Sequence, residues 1–342
     1  MFSRILDLPG LLIVIGVAVA GFLIPTIVGA VRGESRVLRG VEALILALLG
    51  GLLSRAFISV LMGTANDSAG AGLAVGWGFF LVPGLIDTFA GHPILTTPGS
   101  LMMIGGVVGA FTGMMAGIYA IYDWAGLGWI GFPLDVTWAL AGNSVGALIH
   151  LINIGWGDHG DETRENAHRY AAGFGLRYSP RYAFTQGCVM SNLDEAPGGD
   201  LFRHERTHVW QGRGFGPIYT LSYLGWIVLW VVPSVVAGVI KMGVSGIVKG
   251  PNDWCYFNNP WEAWAYAVQG ADRTTIQGVD EDDQKMIWPV RFVVAWAIPF
   301  FLVCLGLSSF TAYKVWGEPA PVAHTQTQHV TVPAHPPNPK HK

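Results

Sequence analysis

The chain has 342 residues, 51% hydrophobic and only 13% charged, with a net charge of −3 and a mean hydropathy of +0.43. An ordinary soluble domain carries about 25% charged residues, so the composition points away from one, and the slight acidity offers nucleic acid no basic surface. Three scattered cysteines, Cys188, Cys255 and Cys304, with no CxxC pair, exclude a disulfide framework and a cysteine zinc site. The 46 glycines and 14 tryptophans suit close helix contacts and interfacial anchors. The expected fold class is mainly α: a polytopic α-helical membrane protein, multi-pass in the cell membrane, with lipid as its first partner.

Residues 1–154 read as an N-terminal membrane region of about five spans. Leu11 to Val31 is an uncharged apolar run long enough to cross. Arg32, Arg36 and Arg39 follow in a short loop and place it on the cytoplasmic side. Val41 to Met62 is the second span, and its Arg55 is expected to snorkel. Ala71 to Ala90, broken by Pro83 and holding Asp87, reads as a kinked or re-entrant third. Ser100 to Tyr122, with Gly105, Gly106 and Gly109, is a fourth that can approach a neighbour closely. Asp135 to Ile154 is a fifth. Asp135 can cap it, and Asn143 and His150 form a polar stripe that faces protein.

Residues 155–216 are the long polar region. Asn166 to Gly173 looks helical, and Arg181 to Leu193 reads as one or two short strands. Residues 217–249 are apolar again, with Pro233 near the middle and Lys241 late. Residues 250–287 are polar and end in the acidic run Asp280 to Asp283, a solvated loop. Residues 288–310 form a last span. Residues 311–342, rich in Pro, Thr, Gln and His, have no apolar period and read as a disordered tail.

One stretch dictates a chemistry. In HERTHVWQ, His204 and His208 are four apart, which puts both imidazoles on one helical face where they can share a metal ion. Glu205 lies between them and can serve as a base for water on that metal. Asp200 is the expected N-cap and Gly212 the expected stop, and Gln211 returns to the metal face. Further on, Asn259 and Pro260 open a second helix with Glu262 at its third position. That carboxylate suits two roles equally: a third metal ligand, or a capping-box partner of the Asn259 N–H.

HExxH with a downstream Glu on a second helix resembles the gluzincin branch of the zincin metallopeptidases. The form HExxHxxQ followed by NPxE resembles a group of bacterial membrane proteins and peptidase-like domains that share both blocks. The resemblance covers about Ala183 to Arg273. It implies Zn²⁺ held by His204, His208 and Glu262, with Glu205 as catalytic base, in a small zincin-like α+β region. Tyr266 is the first choice for the residue that stabilises the oxyanion, and Tyr256 the second. The implied activity is hydrolysis of a peptide or protein substrate by a metal-activated water. Independently of the resemblance, five spans counted from the cytoplasmic Arg32–Arg39 loop put the HExxH region on the cytoplasmic side, and a re-entrant Ala71 to Ala90 would reverse this. By analogy with zincins, a strand beside the metal helix would hold the substrate.

Sharing one metal between His204 and Glu262 requires both ends of 217–249 to lie on one side. A hairpin or re-entrant pair breaking near Pro233 and Ser234, with arms of about 15 residues, is therefore expected. The alternative to an enzyme is a structural zinc staple closed by a fourth ligand, with His159, Asp194 or Glu195 as candidates. A transporter built on Arg55, Asp87, Asp135 and His150 ranks behind both, since those charges are scattered and show no repeat.

Overall fold

The computed structural model describes residues 5–64, 69–160, 164–173, 183–194 and 197–270, with positions 299, 302 and 303. The acidic run, the tail, the body of the last span and Cys304 lie outside these residues. The chain is mainly helical with one small sheet. Four helical segments are long and apolar enough to cross a membrane: Leu8–Arg32, Val37–Gly63, Pro98–Ile118 and Pro217–Phe257.

Three of these make the N-terminal bundle: α1 (Leu8–Arg32), α2 (Val37–Thr64) and α5 (Pro98–Ile118). Asp7 starts α1 by accepting the Gly10 N–H, and Gly33, at φ 72°, ends it. α2 and α5 lie backbone to backbone along a glycine stripe. A Cβ at Gly113 would collide with the Leu46 carbonyl oxygen, and one at Gly117 with Ala43. Small residues let the helices approach this closely, so packing replaces the hydrophobic drive that lipid does not supply. Leu12, Leu23 and Ile27 point outward and are exposed.

Arg55 does not snorkel. It is 1% exposed and pairs with Asp7, while its Nε donates to the Ile5 carbonyl (2.8 Å). A partner within reach keeps the charge inside, because burying a paired cation costs less than burying a lone one.

The third expected span is broken in three: α3 (Ala69–Val75), a π-helical turn (Gly76–Phe80) and α4 (Val82–Ala90). The break falls at Leu81, at φ 53°, a backbone region costly for a side chain with a Cβ. Pro83 sits in the first turn of α4, where it is tolerated. Asp87 is fully buried and anchors the next loop, accepting the N–H groups of Ile94, Leu95 and Thr96.

α6 (Gly128–Asp135) and α7 (Leu140–Trp156) replace the single fifth helix expected from Asp135. Asp135 caps nothing. Its carboxylate accepts from the Arg213 guanidinium (2.9 and 2.6 Å) and from the Tyr122 hydroxyl (2.8 Å). The polar stripe on α7 does face protein. Asn143 donates to the Asp135 carbonyl and accepts the Cys188 N–H, and His150 meets the Tyr170 hydroxyl.

The sheet has three short strands in the order β1-β3-β2: β1 (His168–Arg169), β2 (Phe184–Gln186) and β3 (Val189–Ser191). β2 and β3 lie within the stretch expected to hold one or two short strands, and they pair as a hairpin turning at Gly187 with φ 59°. The stretch expected to be helical instead supplies β1, parallel to β3. Its backbone finds sheet partners, the Cys188 and Met190 carbonyls, that a local pattern cannot show.

α8 (Asp200–Phe215) carries HERTH, and α9 (Pro217–Met242) leaves from it at Gly216. Gly199, not Asp200, is the N-cap, and Asp200 adds its charge to the first turn. The helix runs through Gly212 to Gly216. A short turn, Gly243–Ser245, then leads into α10 (Gly246–Pro251), a π-helical stretch (Asn252–Phe257) and α11 (Pro260–Gln269). The return arm runs antiparallel to α9. Gly246 packs on Gly238, and Gly250 on Ser234. Trp226 Nε1 donates to the Trp254 carbonyl (3.0 Å), and Trp261 Nε1 to Ser222 (2.9 Å).

The segment is therefore a hairpin, but its turn is at Gly243, where φ 64° suits glycine, and not at Pro233, which stays inside α9. The outgoing arm is longer than expected, with 26 residues in α9, while the return arm over Gly246–Pro251 and Asn252–Phe257 is not. Tyr223 to Met242 spans roughly 30 Å at about 1.5 Å per helical residue, close to the thickness of a bilayer core.

Candidate metal centre

Three elements build the site. α8 contributes His204, Glu205, His208 and Gln211, all buried; α11 contributes Glu262, 3% exposed; β2 lies alongside. Nε2 of His204, Nε2 of His208 and Oε2 of Glu262 form a triangle with edges of 3.1, 3.2 and 3.4 Å. Donors on one tetrahedral ion with bonds of ~2.0–2.1 Å stand ~3.3 Å apart. Among the described residues this is the one group of three His, Cys, Asp or Glu side chains whose donor atoms lie within 4.8 Å of one another. Two imidazole nitrogens and a carboxylate oxygen, aimed at one point, fit zinc.

The hydrogen bonds behind the donors fit it too. His208 Nδ1 donates to Gln211 Oε1 (2.9 Å), which leaves Nε2 as the lone-pair nitrogen. Gln211 in turn donates to the Trp261 carbonyl (3.0 Å), tying α8 to the first turn of α11. The Tyr223 hydroxyl donates to Glu262 Oε1 (2.7 Å), leaving Oε2 to the triangle. The capping-box alternative for Glu262 is not taken: the Asn259 N–H goes to the Tyr256 carbonyl, while the Asn259 side chain caps at the Trp261 N–H (3.1 Å).

Electrostatics follow from this crowding. Burial by itself lowers the His208 imidazole, but the facing Glu262 carboxylate outweighs it and lifts the group to about 9. Burial pushes Glu262 up, yet His208 and His204 hold it well below the ordinary carboxylate range. Without a metal, the ligand set binds a proton in the metal's place.

Glu205 is 4% exposed and lines a cavity of about 460 Å³ together with His208 and Glu262. Thr185 on β2 donates to Glu205 Oε2 (2.5 Å), which fixes the carboxylate. The other walls include Leu81, Phe184, Tyr219, Tyr223, Leu224 and Tyr256, with the polar side chains of Gln186 and Thr220 among them.

Tyr266 is not among the cavity's lining residues. Its ring packs on His204, with centroids 4.4 Å apart. Tyr219 and Tyr223 are the phenols that sequence reasoning overlooked. Their i, i+4 spacing on the helix directly after the motif was the available signal, and Tyr219 reaches His208 Nδ1 at 3.3 Å. Thr185 carried no signal, since only the fold brings β2 to α8. The Arg213–Asp135 pair, both 1% exposed, locks α8 onto α6, and Arg213 also donates to the Asn166 carbonyl (2.5 Å).

The candidate fourth ligands are elsewhere. His159 pairs with His168, Asp194 is exposed, and Glu195 lies outside the described residues. Arg55, Asp87, Asp135 and His150 each have the internal partner given above. Cys188 and Cys255 are buried free thiols. No protein-family model matches the chain, and comparisons with curated proteins and with solved structures find no similar one.

Proposed function

We propose that this protein is a zinc-dependent metallopeptidase embedded in the membrane. The observation that carries the reading is the donor triangle of His204, His208 and Glu262 with a fixed carboxylate, Glu205, beside it on one cavity. Three protein donors leave a coordination position for water, which marks a catalytic site and not a structural one. When bound at these donors, zinc supplies a Lewis acid that polarises a carbonyl and acidifies water.

The chain's own groups do the rest. Glu205 takes a proton from the attacking water and delivers it to the departing amine nitrogen, so its carboxylate ends each cycle as it began. Thr185 holds that carboxylate in place. The phenol of Tyr219, which lines the cavity, would meet developing negative charge on the substrate oxygen, while the Tyr223 proton stays with Glu262. β2 is an edge strand of the sheet and lines the cavity, so an extended peptide can add to it.

Four long apolar segments and exposed faces such as Val228, Val232 and Ile240 on α9 support a place in the membrane. Orientation follows from Glu42, which bonds both Trp124 and Arg164 (2.8 and 3.0 Å) and so joins the polar segment to the end of the bundle bearing the Arg32–Arg39 loop. The positive-inside rule puts that end in the cytoplasm.

The test is chelator-sensitive hydrolysis of fluorogenic casein by the detergent-purified protein. Glu205→Gln should keep its zinc and lose ~10²–10⁴-fold in rate. A Glu205→Gln variant as fast as the parent would refute the mechanism. A zinc-loaded parent that fails to bind a hydroxamate would point to a closed, structural centre.

A further inference from the structure

Three of the ten histidines meet at a second place. His150 comes from α7, His159 from the turn after it and His168 from β1. None of them lines the cavity beside Glu205, and β1 is the opposite edge of the sheet from β2. Ring centroids are 4.3 Å apart for His150 and His168, 5.2 Å for His159 and His168, and 6.4 Å for His150 and His159. His150 is 2% exposed and His168 1%.

The hydrogen bonds assign the nitrogens. His159 Nδ1 donates to the Gly160 carbonyl (2.6 Å), so its Nε2 carries a lone pair and accepts from His168 Nδ1 (3.0 Å). The Tyr170 hydroxyl meets His150 Nδ1 at 3.0 Å, and His150 Nε2 is buried without a hydrogen-bond partner. Tyr119 stacks on His159 with centroids 3.7 Å apart and closes the group. Burial, then the facing His150 and His159, hold the His168 ring well below its ordinary value, in the neutral form.

A core has no use for three imidazoles and an unmatched nitrogen, because an unpaired buried polar atom costs about 1–3 kcal/mol. Imidazoles on one tetrahedral ion have ring centres roughly 5 Å apart, given bonds of ~2.0–2.1 Å. The three separations bracket that value.

We infer that His150, His159 and His168 form a second metal site, for a divalent first-row transition ion held by imidazole nitrogen, clamping α7 to β1. Such an ion suits a donor set without carboxylate or thiolate. His159 Nε2 and His168 Nδ1 already stand 3.0 Å apart, and an ion between them replaces the shared proton, with His168 taking the Nε2–H tautomer; the full set is spread wider than the 4.8 Å of the first centre. His150 completes it by turning its ring about the Cβ–Cγ bond and exchanging the Tyr170 hydroxyl for the metal. Its three donors leave a position for a further ligand, as at the first centre, but none of the three lines the cavity that holds Glu205.

Cobalt(II) chloride titration of the full chain in detergent tests it, with His324, His329, His335 and His341 replaced by alanine to remove competing tail imidazoles. The parent should bind two equivalents. His204→Ala with His208→Ala should keep one, and adding His159→Ala, a ring only partly buried, should remove it. One equivalent in the parent and none in the His204→Ala, His208→Ala variant would overturn the inference. So would two equivalents that survive His159→Ala. One equivalent that survives loss of His204 and His208 but not of His159 would keep this site and sink the first. Should the His204→Ala, His208→Ala variant fail to fold, His159→Ala alone decides: a stoichiometry one equivalent below the parent's supports the second site, and an unchanged stoichiometry overturns it.

Discussion

Gln211 touches neither the water nor the substrate in the proposed reaction, so Gln211→Ala isolates what the surroundings of the ligands contribute. The substitution removes two bonds: the acceptor for His208 Nδ1 at 2.9 Å and the donor to the Trp261 carbonyl at 3.0 Å. The first loss frees the His208 ring to rotate and to take the other tautomer. The second loosens the turn that carries Glu262. Losing a hydrogen-bond partner of a ligand costs about 10–100-fold in metal affinity, or ~1.4–2.8 kcal/mol. The Tyr219 hydroxyl, 3.3 Å from the same nitrogen, retains part of the constraint. The expected loss is therefore at the lower end, about 10–30-fold. The assay is zinc competition against a chromophoric chelator on the purified protein. Thr207→Ala is the control: it removes only an exposed bond to the Arg203 carbonyl and should leave affinity unchanged. Gln211→Glu keeps the acceptor for His208 Nδ1 but loses the donor to the Trp261 carbonyl, so its affinity should fall between those of the parent and Gln211→Ala. A Gln211→Ala affinity within about twofold of the parent would refute the reasoning that Gln211 orients His208.

Zinc binding should also depend on pH, because a proton occupies the ligand set first. His208 is raised to about 9 in the folded, metal-free chain, so zinc must displace that proton below this pH. Apparent affinity should rise about tenfold per pH unit between pH 6.5 and 8; a flat profile would show that His208 is not a ligand. The same shift sets metal-free stability. The His208 contribution is full below its ordinary value of 6.5 and is lost as pH rises through about 9. Glu262 is held low, so its contribution is present above 4.5 and lost only in stronger acid. Unfolding temperature in chelator should thus fall from pH 7 to pH 10, and an increase over that range would contradict the assignment. Asp135→Asn leaves the buried Arg213 cation unbalanced and should destabilise the protein by about 3–5 kcal/mol, read by thermal unfolding in detergent; a change under about 1 kcal/mol would mean that the pair is not what locks α8.

The sequence by itself determined the centre's chemistry. Spacing within one helix is local, so His204 and His208 had to share a face, and the Asn259–Pro260 start had to put Glu262 in a first turn. The apolar runs at 11–31, 41–62 and 100–122 likewise announced their helices, because a run that long without charge has one stable form in an apolar solvent. What the sequence left open was everything that depends on a distant partner. The ligand and cap readings of Glu262 were equivalent until the hairpin turned at Gly243 and not at Pro233, which laid α11 beside α8. Arg55 became buried because Asp7, 48 residues away, reached it. Asn166 to Gly173 gave up its helical pattern because β3 offered its backbone a better set of hydrogen bonds. Thr185, Tyr219 and Tyr223 joined the site, and His150, His159 and His168 met, only through the packing of the sheet on α7 and of α9 on α8. Helical periodicity acts over one or two turns, whereas burial and hydrogen-bond pairing are settled between elements. The three residues of the triangle could therefore be named from the chain, and their surroundings only from the fold.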